Sequence, residues 1–354
     1  LRHDRKRLNE SLDELIAAVG IQAESLVEAE LPPSMAELIY LIGSIDRGES
    51  EDALVELLDS PNADIAMIAA DALGRNQFYG AIDDLGRQAQ REAYTDRYAF
   101  RFNLVRSLAQ MKHPDAIELM SVLETKLDGQ LRFELGKILA DVTLDDFRGD
   151  AERYEAWKNR SNGSDVFKPA GFSPPNSPGY DKIQFDQPQY YGIDIRAQRV
   201  MFVIDHSGSM KAPTSSGSRL MRAKHELIRA VSELPEDAEF AIVSFDSNVR
   251  HWRAELSRAT EENKRAAILF VQRLGFGNDT NTYGALRRAL DFDDSLEAVF
   301  LLTDGKPTAG EIIKPARLAG DIIHRNRWRH LNINTIGISV GGATESFLRS
   351  LAAN

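Results

Sequence analysis

The chain contains no cysteine among its 354 residues. Disulfide bonds, thiolate metal sites and cysteine nucleophiles are therefore excluded, but the compartment stays open because reducing and oxidising locations both tolerate a cysteine-free chain. Long apolar runs are also absent, since none approaches the roughly 18 to 20 residues needed to span a bilayer. The length instead allows two domains of ordinary size, each able to bury a core of its own.

The chain also lacks an excess of positive charge. Lys and Arg number 43 against 54 Asp and Glu, which gives a formal net charge of −11 and a pI near 5.3. Phosphate binding draws on clustered Lys and Arg, so this balance argues against a nucleic-acid protein while leaving a local basic patch open. The concentrated patch is the segment 324–330, which contains Arg325, Arg327, Trp328 and Arg329. We interpret it first as cations that stabilise the carboxyl end of a helix, and second as an RNA-binding surface.

Two different patterns divide the chain. Apolar residues recur at helical spacing in the N-terminal part, whereas strands alternate with helices in the C-terminal part. The predicted fold class is therefore an α-helical array followed by a doubly wound α/β domain. We place a helical extension at 1–34, a helical repeat domain at 35–157, a linker rich in Pro, Gly and Ser at 158–189, and the α/β domain at 190–354.

A weak internal repeat of about 30 to 35 residues runs through the helical part. Segments 53–57, 81–85 and 116–120 correspond as first helices, and their partner helices carry small residues near their ends, among them Gly74 and Ser107. This pattern resembles short HEAT repeats, and the resemblance implies an extended scaffold with a concave binding surface. A plain helical bundle shares much of the patterning and remains the alternative.

In the C-terminal part, buried-type apolar runs predict the parallel strands of a sheet. The segment from Tyr190 to Ile195 is expected to add an edge strand to that sheet. The runs end near residues 205, 245, 303 and 339, and helical patterns lie between them.

Oxygen-bearing side chains follow two of these strands. One strand ends in Asp205, with Ser207 and Ser209 in the same loop, and another ends in Asp304. In an open α/β sheet the carboxyl ends of the strands border the ligand crevice, so both acids are expected at one edge. Carboxylates and hydroxyls suit a hard cation; we predict Mg²⁺, with Mn²⁺ or Ca²⁺ as alternatives.

The pattern Asp-x-Ser-x-Ser, then Thr280, then Thr-Asp-Gly, resembles the metal-ion-dependent adhesion site of von Willebrand factor type A domains. Asn278 and Asp279 stand where the family usually has Gly-Gly before the Thr, so Thr282 competes with Thr280 for the ligand position. We choose Thr280 because the residues after it are similar to the family's Thr-Asn-x-x-x-Ala-Leu. Asp279 and His206 are candidate accessory residues near the metal, although His206 is expected to be simply exposed.

In that family one coordination position takes a carboxylate from another protein. The resemblance therefore implies a non-enzymatic, metal-dependent interaction or adhesion module whose partner presents Asp or Glu, with the helical array as a second binding surface. Asp205, His206 and Ser207 spell the letters of a hydrolase triad, but successive residues cannot form that relay. Two alternatives stay open: an RNA-binding protein resembling the Ro autoantigen, and an adaptor for an AAA+ ATPase.

The order of HEAT-like repeats and a type A domain is similar to that of secreted proteins from planctomycete-type bacteria. We therefore expect a secreted, periplasmic or cell-surface location, with the cytoplasm as the alternative. Both ends look cut, and the type A domain is expected to be truncated at its carboxyl end, where the family usually carries a further short strand.

Overall fold

The computed structural model describes residues 2–26, 31–143, 152, 159, 188–215 and 217–353. The chain divides into two compact units, Leu1–Ile183 and Gln184–Asn354. The predicted fold class, helices followed by an α/β domain, is confirmed. The predicted linker lies almost entirely outside the described residues. None of the described helices combines the length and the apolar character needed to cross a membrane.

The regular secondary structure described in the N-terminal unit is entirely helical. Asn62 caps one helix by accepting hydrogen bonds from Asp64 N and Ile65 N, and prolines occupy the first turn of two others, where no intrahelical N–H bond is lost. The helices are α1 (Arg2–Ser25), α2 (Pro33–Gly43), α3 (Gly48–Leu58), α4 (Ala63–Arg75), α5 (Ile82–Gln88), α6 (Glu92–Asp96), α7 (Tyr98–Met111), α8 (Pro114–Glu124) and α9 (Gly129–Thr143).

The helices of this unit pack in two rows. Helix α3 packs on α5 and α5 on α8, while α4 packs on α7 and α7 on α9. These rows correspond to the first and partner helices of the predicted repeat, whose assignment to HEAT repeats remains a prediction. Helices α4 and α7 approach so closely that a Cβ added at Gly74 would lie 2.5 Å from the Ser107 carbonyl oxygen. The close crossing of these two helices therefore requires a residue without a side chain at position 74.

The C-terminal unit alternates strands and helices. Its strands are β1 (Gln189–Tyr190), β2 (Ile193–Asp194), β3 (Arg199–Asp205), β4 (Pro213–Thr214), β5 (Gly217–Ser218), β6 (Glu239–Phe245), β7 (Val249–His251), β8 (Ser257–Arg258), β9 (Ala298–Thr303) and β10 (Asn332–Gly337). Its helices are α10 (Arg219–Glu233), α11 (Glu261–Arg273), α12 (Thr282–Leu290), α13 (Pro315–Arg329) and α14 (Ala343–Ala352).

The main sheet has the strand order β10-β9-β3-β6-β7, with β8 also paired to β6. Strands β10, β9, β3 and β6 run parallel, whereas β7 and β8 are antiparallel to β6, so the sheet is mixed. Alternate residues of β3 enter two separate cores, because Phe202 packs with one set of helices and Val203 with the other. Burial on both faces explains why the central strands read as unbroken apolar runs.

The predicted edge strand at 190–195 is wrong. Strands β1 and β2 pair only with each other, as a two-stranded hairpin outside the main sheet. The chain reverses at Tyr191 and Gly192, which both have positive φ, so no strand of six residues forms. Tyr190 is buried instead against the core, with its ring 5.4 Å from that of Phe202 and 6.0 Å from that of Phe300.

Candidate metal centre

Three chain segments meet at the carboxyl edge of the sheet. Strands β3 and β9 are parallel neighbours, so the residues that follow them, the loop after Asp205 and the loop from Asp304, leave the sheet side by side. The loop before α12 joins them, because Gly208 N donates a 2.7 Å hydrogen bond to the carbonyl of Asn278. A side chain at Gly208 would crowd this contact, since an added Cβ would lie 3.1 Å from the same oxygen.

Four of the five predicted ligands form one hydrogen-bonded chain. Ser207 N donates to Asp205 Oδ1 at 2.8 Å, and the Ser207 and Ser209 hydroxyl oxygens lie 3.2 Å apart. Ser209 Oγ in turn donates to Asp304 Oδ1 at 2.6 Å. Asp205, Ser207 and Asp304 are buried whereas Ser209 is exposed, so the chain reaches the surface at Ser209.

Thr280 lies on the third segment and is buried, with 4% of its surface exposed. Its backbone is clamped to the loop after β9: Thr280 N donates to Thr308 Oγ1 at 2.8 Å and Thr308 N donates to Thr280 O at 2.9 Å. Thr282, the rival ligand, begins α12, and its buried hydroxyl has no hydrogen-bond partner among the described residues. The preference for Thr280 remains a prediction.

Sequence reasoning missed two residues of this centre. Thr303, the last residue of β9, donates from Oγ1 to Asp205 Oδ2 at 2.5 Å and so ties the ends of two strands together. Arg219, the first residue of α10, places Nη1 2.6 Å from Asp304 Oδ2. The signal for Thr303 was its position directly before Asp304, whereas the Arg219 contact spans 85 residues and has no local signature.

Burial raises the pKa of Asp205 to about 6, from an ordinary value of 3.8. Hydrogen bonds from Thr303 and Ser207 lower the pKa in part, while the neighbouring Asp304 carboxylate raises it further. Because the pKa is raised in the folded state, ionising Asp205 costs stability, and the cost appears as pH rises from about 4 through about 6.

A pH series tests this burial. In EDTA, the free energy of unfolding of wild type minus that of Asp205→Asn is expected to be about 2 kcal/mol larger at pH 4 than at pH 7. Taking the difference removes every titration that the two proteins share. Urea denaturation at each pH gives both values, and parallel pH profiles would contradict the raised pKa.

The expectation that His206 is exposed is wrong. His206 is 4% exposed, because the loop 275–277 covers it: its Nδ1 lies 3.0 Å from Gly275 O, and its carbonyl accepts from Gly277 N at 2.7 Å. Burial lowers the pKa of the imidazole, which favours the neutral ring. Its Nε2 has no hydrogen-bond partner within the described part of the chain. The Asp-His-Ser letters therefore form no relay, since the imidazole bonds a backbone carbonyl.

Asp279, the other candidate accessory residue, is exposed. Its Oδ2 accepts from Ser247 Oγ at 3.1 Å, and its backbone N donates to the same hydroxyl at 3.2 Å. Ser247 follows β6, so Asp279 links the loop before α12 to the end of a third strand. This contact gives Asp279 a structural role beside its predicted accessory one.

The basic patch lies at the carboxyl end of α13. Arg325 Nε pairs with Asp321 Oδ2 at 2.8 Å, and the Arg327 guanidinium stacks over the Trp328 ring at 5.4 Å. Arg329 pairs with Asp294 and also donates to the Asp293 carbonyl. Arg327 and Arg329 lie in the last turn of the helix, which supports the first interpretation of the patch, as cations that stabilise the carboxyl end of a helix.

The donor set at the sheet edge fits a small hard cation. Around an ion with Mg–O distances of about 2.0 to 2.1 Å, adjacent octahedral ligands are about 2.9 Å apart. The separations of 3.2 Å between the two serine oxygens and 2.6 Å from Ser209 Oγ to Asp304 Oδ1 lie on either side of that value. Among the residues that the structure describes, no group of three or more His, Asp and Glu could hold a metal, so a site here depends on hydroxyls.

Residues 200–306, which contain all five predicted ligands, match a family model described as von Willebrand factor type A domain. The C-terminal unit is a von Willebrand type A α/β domain. The matched residues run from β3 to the loop after β9, the segment that builds the sheet edge described above.

Two curated relatives illustrate the similarity. Inter alpha-trypsin inhibitor heavy chain 4 of Mus musculus is 31% identical over 126 residues, which is 32% of this chain and 13% of the relative. Human von Willebrand factor A domain-containing protein 3B is 30% identical over 156 residues, 44% of this chain and 11% of the relative. The chain thus matches only a small part of each relative's length.

Among solved structures, a von Willebrand factor type A protein from Catenulispora acidiphila is 27% identical, with a TM-score of 0.39. The match covers 44% of this chain and 36% of that chain.

Proposed function

We propose that this chain is a metal-dependent protein-interaction module. In this proposal Asp205, Ser207, Ser209, Thr280 and Asp304 hold a divalent cation, Mg²⁺ before Mn²⁺ or Ca²⁺. The cation, when bound, supplies a Lewis-acidic position for an acidic side chain of another protein. The observation that carries the proposal is the hydrogen-bonded chain that joins buried Asp205 and buried Asp304 through Ser207 and the exposed Ser209, at the carboxyl edge of parallel strands.

The residues of the centre differ in their exposure to solvent. Asp205 is anchored by Thr303 and by Ser207 N, so its position is fixed before any ligand arrives. Ser209 is exposed and leaves one side of the centre open to a partner. The similarity to inter-alpha-trypsin inhibitor heavy chains supports an interaction role for the domain. The rows of helices would then offer a second surface for the same or another partner.

We infer a non-catalytic role from the same geometry. Nucleophilic catalysis requires a general base within hydrogen-bond reach of the nucleophile. Here the Ser209 hydroxyl donates to Asp304, whose other oxygen pairs with Arg219, so the carboxylate is already neutralised. His206 faces Gly275 O.

A pair of threonine variants tests the proposal. Calorimetric titration of the full chain with Mg²⁺ is expected to show binding to wild type and at least roughly tenfold weaker binding to Thr280→Val, which loses a predicted ligand oxygen. Thr282→Val is the matched control, because its buried hydroxyl bonds to none of the described residues and valine has the same shape.

The outcomes separate the two claims. Absence of Mg²⁺ binding to wild type would overturn the metal-dependent function. Weaker binding to Thr282→Val with unchanged binding to Thr280→Val would instead move the ligand assignment to the other threonine.

A further inference from the structure

Arg219 brings a fixed positive charge into the predicted metal centre. Its Nη1 lies 2.6 Å from Asp304 Oδ2, and the Asp304 side chain is fully buried while 22% of the Arg219 side chain is exposed. The two oxygens of Asp304 are thus shared between the guanidinium and Ser209, which bonds the other oxygen. Arg219 is in this respect a direct neighbour of the candidate ligands.

The backbone holds Arg219 in this place. After the metal loop the chain forms the short β4–β5 hairpin, and Arg219 N then donates a 3.0 Å hydrogen bond back to Ala212 O. Ser218 caps α10 by accepting from Met221 N, so the helix begins at Arg219 with its first turn against the loop. The guanidinium is therefore positioned by the fold and not only by its attraction to Asp304.

The charge of Arg219 changes the electrostatic balance of a loaded centre. Asp205 and Asp304 together would neutralise a divalent cation, and Arg219, which is in direct contact with Asp304, adds one positive charge to this ligand set. A centre with excess positive charge holds its metal less tightly and attracts an anion more strongly. Exposed lysines adjoin the loops on two sides: Lys211 follows Ser209, and Lys306 follows Asp304. They add two positive charges beside the centre, against the one negative charge of the exposed Asp279 on the third segment.

We propose that Arg219 is a specificity-determining residue of this site: it lowers metal affinity and reserves the loaded centre for an anionic ligand, a carboxylate. This inference rests on the proposed metal-dependent function and adds to it a charge requirement on the partner. The competing explanation is structural, in which Arg219 serves only to neutralise a buried carboxylate. Arg219 Nε is buried and lacks a hydrogen-bond partner among the described residues. Neutralising Asp304 therefore leaves one donor of the guanidinium without a hydrogen bond.

The test removes the positive charge at position 219 and keeps a hydrogen-bond donor there. Arg219→Gln is expected to bind Mg²⁺ roughly tenfold more tightly than wild type by calorimetry, because the repulsion between two cations is removed. Arg222→Gln, which removes an equal charge from the exposed side of the same helix, is the matched control and should bind as wild type does. Arg219→Lys keeps the charge and should also resemble wild type.

A second measurement uses Mn²⁺ as the metal and acetate as the carboxylate probe. Water-proton relaxation reports the displacement of metal-bound water by acetate, and the acetate affinity of Arg219→Gln is expected to be several-fold lower than that of wild type. Circular dichroism confirms that each variant is folded. If Arg219→Gln does not fold, a Mg²⁺ affinity of Arg219→Lys equal to that of wild type together with an unchanged acetate affinity supports the proposal, and a loss of metal binding in that variant overturns it.

Failure of this inference is distinguishable from failure of the proposed function. Equal or weaker Mg²⁺ binding to Arg219→Gln, with clear binding to wild type, overturns the role of Arg219 and leaves the metal site intact. Absence of Mg²⁺ and Mn²⁺ binding to wild type and to every variant overturns the metal site itself.

Discussion

Asp205→Ala is expected to weaken Mg²⁺ binding at least about a hundredfold, to below detection by calorimetry. The substitution removes one of the two carboxylates of the centre, which is also the acceptor that fixes Ser207 N and Thr303 Oγ1. The metal-free protein should remain folded at neutral pH, because the lost carboxylate was itself costly to ionise in its buried position.

Asp246 provides the control for this experiment. It follows the neighbouring strand β6, is 6% exposed, and accepts from Asn248 N at 2.8 Å, so it matches Asp205 in burial and local bonding. Asp246→Ala should keep the Mg²⁺ affinity of wild type. Equal loss of binding in both variants would show that damage to the sheet edge, and not removal of a ligand, explains the effect.

The second large effect is expected in the helical unit. Gly74→Ala should lower its free energy of unfolding by about 3 kcal/mol, since the added Cβ would lie 2.5 Å from Ser107 O and 2.7 Å from Ser107 Cα. Backbone atoms cannot rotate away, so helices α4 and α7 must separate along their whole contact. Urea unfolding of the full chain followed by circular dichroism at the helical band measures the loss.

For Gly20, in the same unit, substitution by alanine is expected to change the stability in the opposite direction. It lies inside α1, and an added Cβ there would meet no atom within 4 Å. Gly20→Ala should therefore raise stability by about 0.5 to 1 kcal/mol through helix propensity alone. If both alanine variants change stability in the same direction, the close crossing at Gly74 does not control this packing.

The sequence allowed the architecture to be predicted where one local pattern had one physical solution. Strands β3, β6 and β9 are buried on both faces, so their runs were unbroken, and the polar residues after them had to emerge at one edge. This reasoning brought Asp205 and Asp304 together in advance.

Features that depend on distant segments escaped prediction. The burial of His206 comes from the loop at Gly275, and the ion pair of Arg219 comes from the loop after β9. The strand prediction at 190–195 failed for a different reason: the positive φ angles of Tyr191 and Gly192 reverse the chain inside the predicted strand. Periodicity reports which face of an element is buried, but it contains no information about which loop will cover a given side chain.

The order of strands in the sheet also determines when the proposed metal centre could form. Strand β9 carries Asp304 and Thr303 and pairs directly with β3, although about 90 residues separate the two strands along the chain. A polypeptide that ends before β9, during synthesis or after proteolysis, would have the loop with Ser207 and Ser209. It would lack both the Asp304 carboxylate and the hydrogen bond from Thr303 to Asp205. Under the proposed function, cation binding would therefore be restricted to completely folded domains, because only a domain in which β9 has paired with β3 could present the site to a partner.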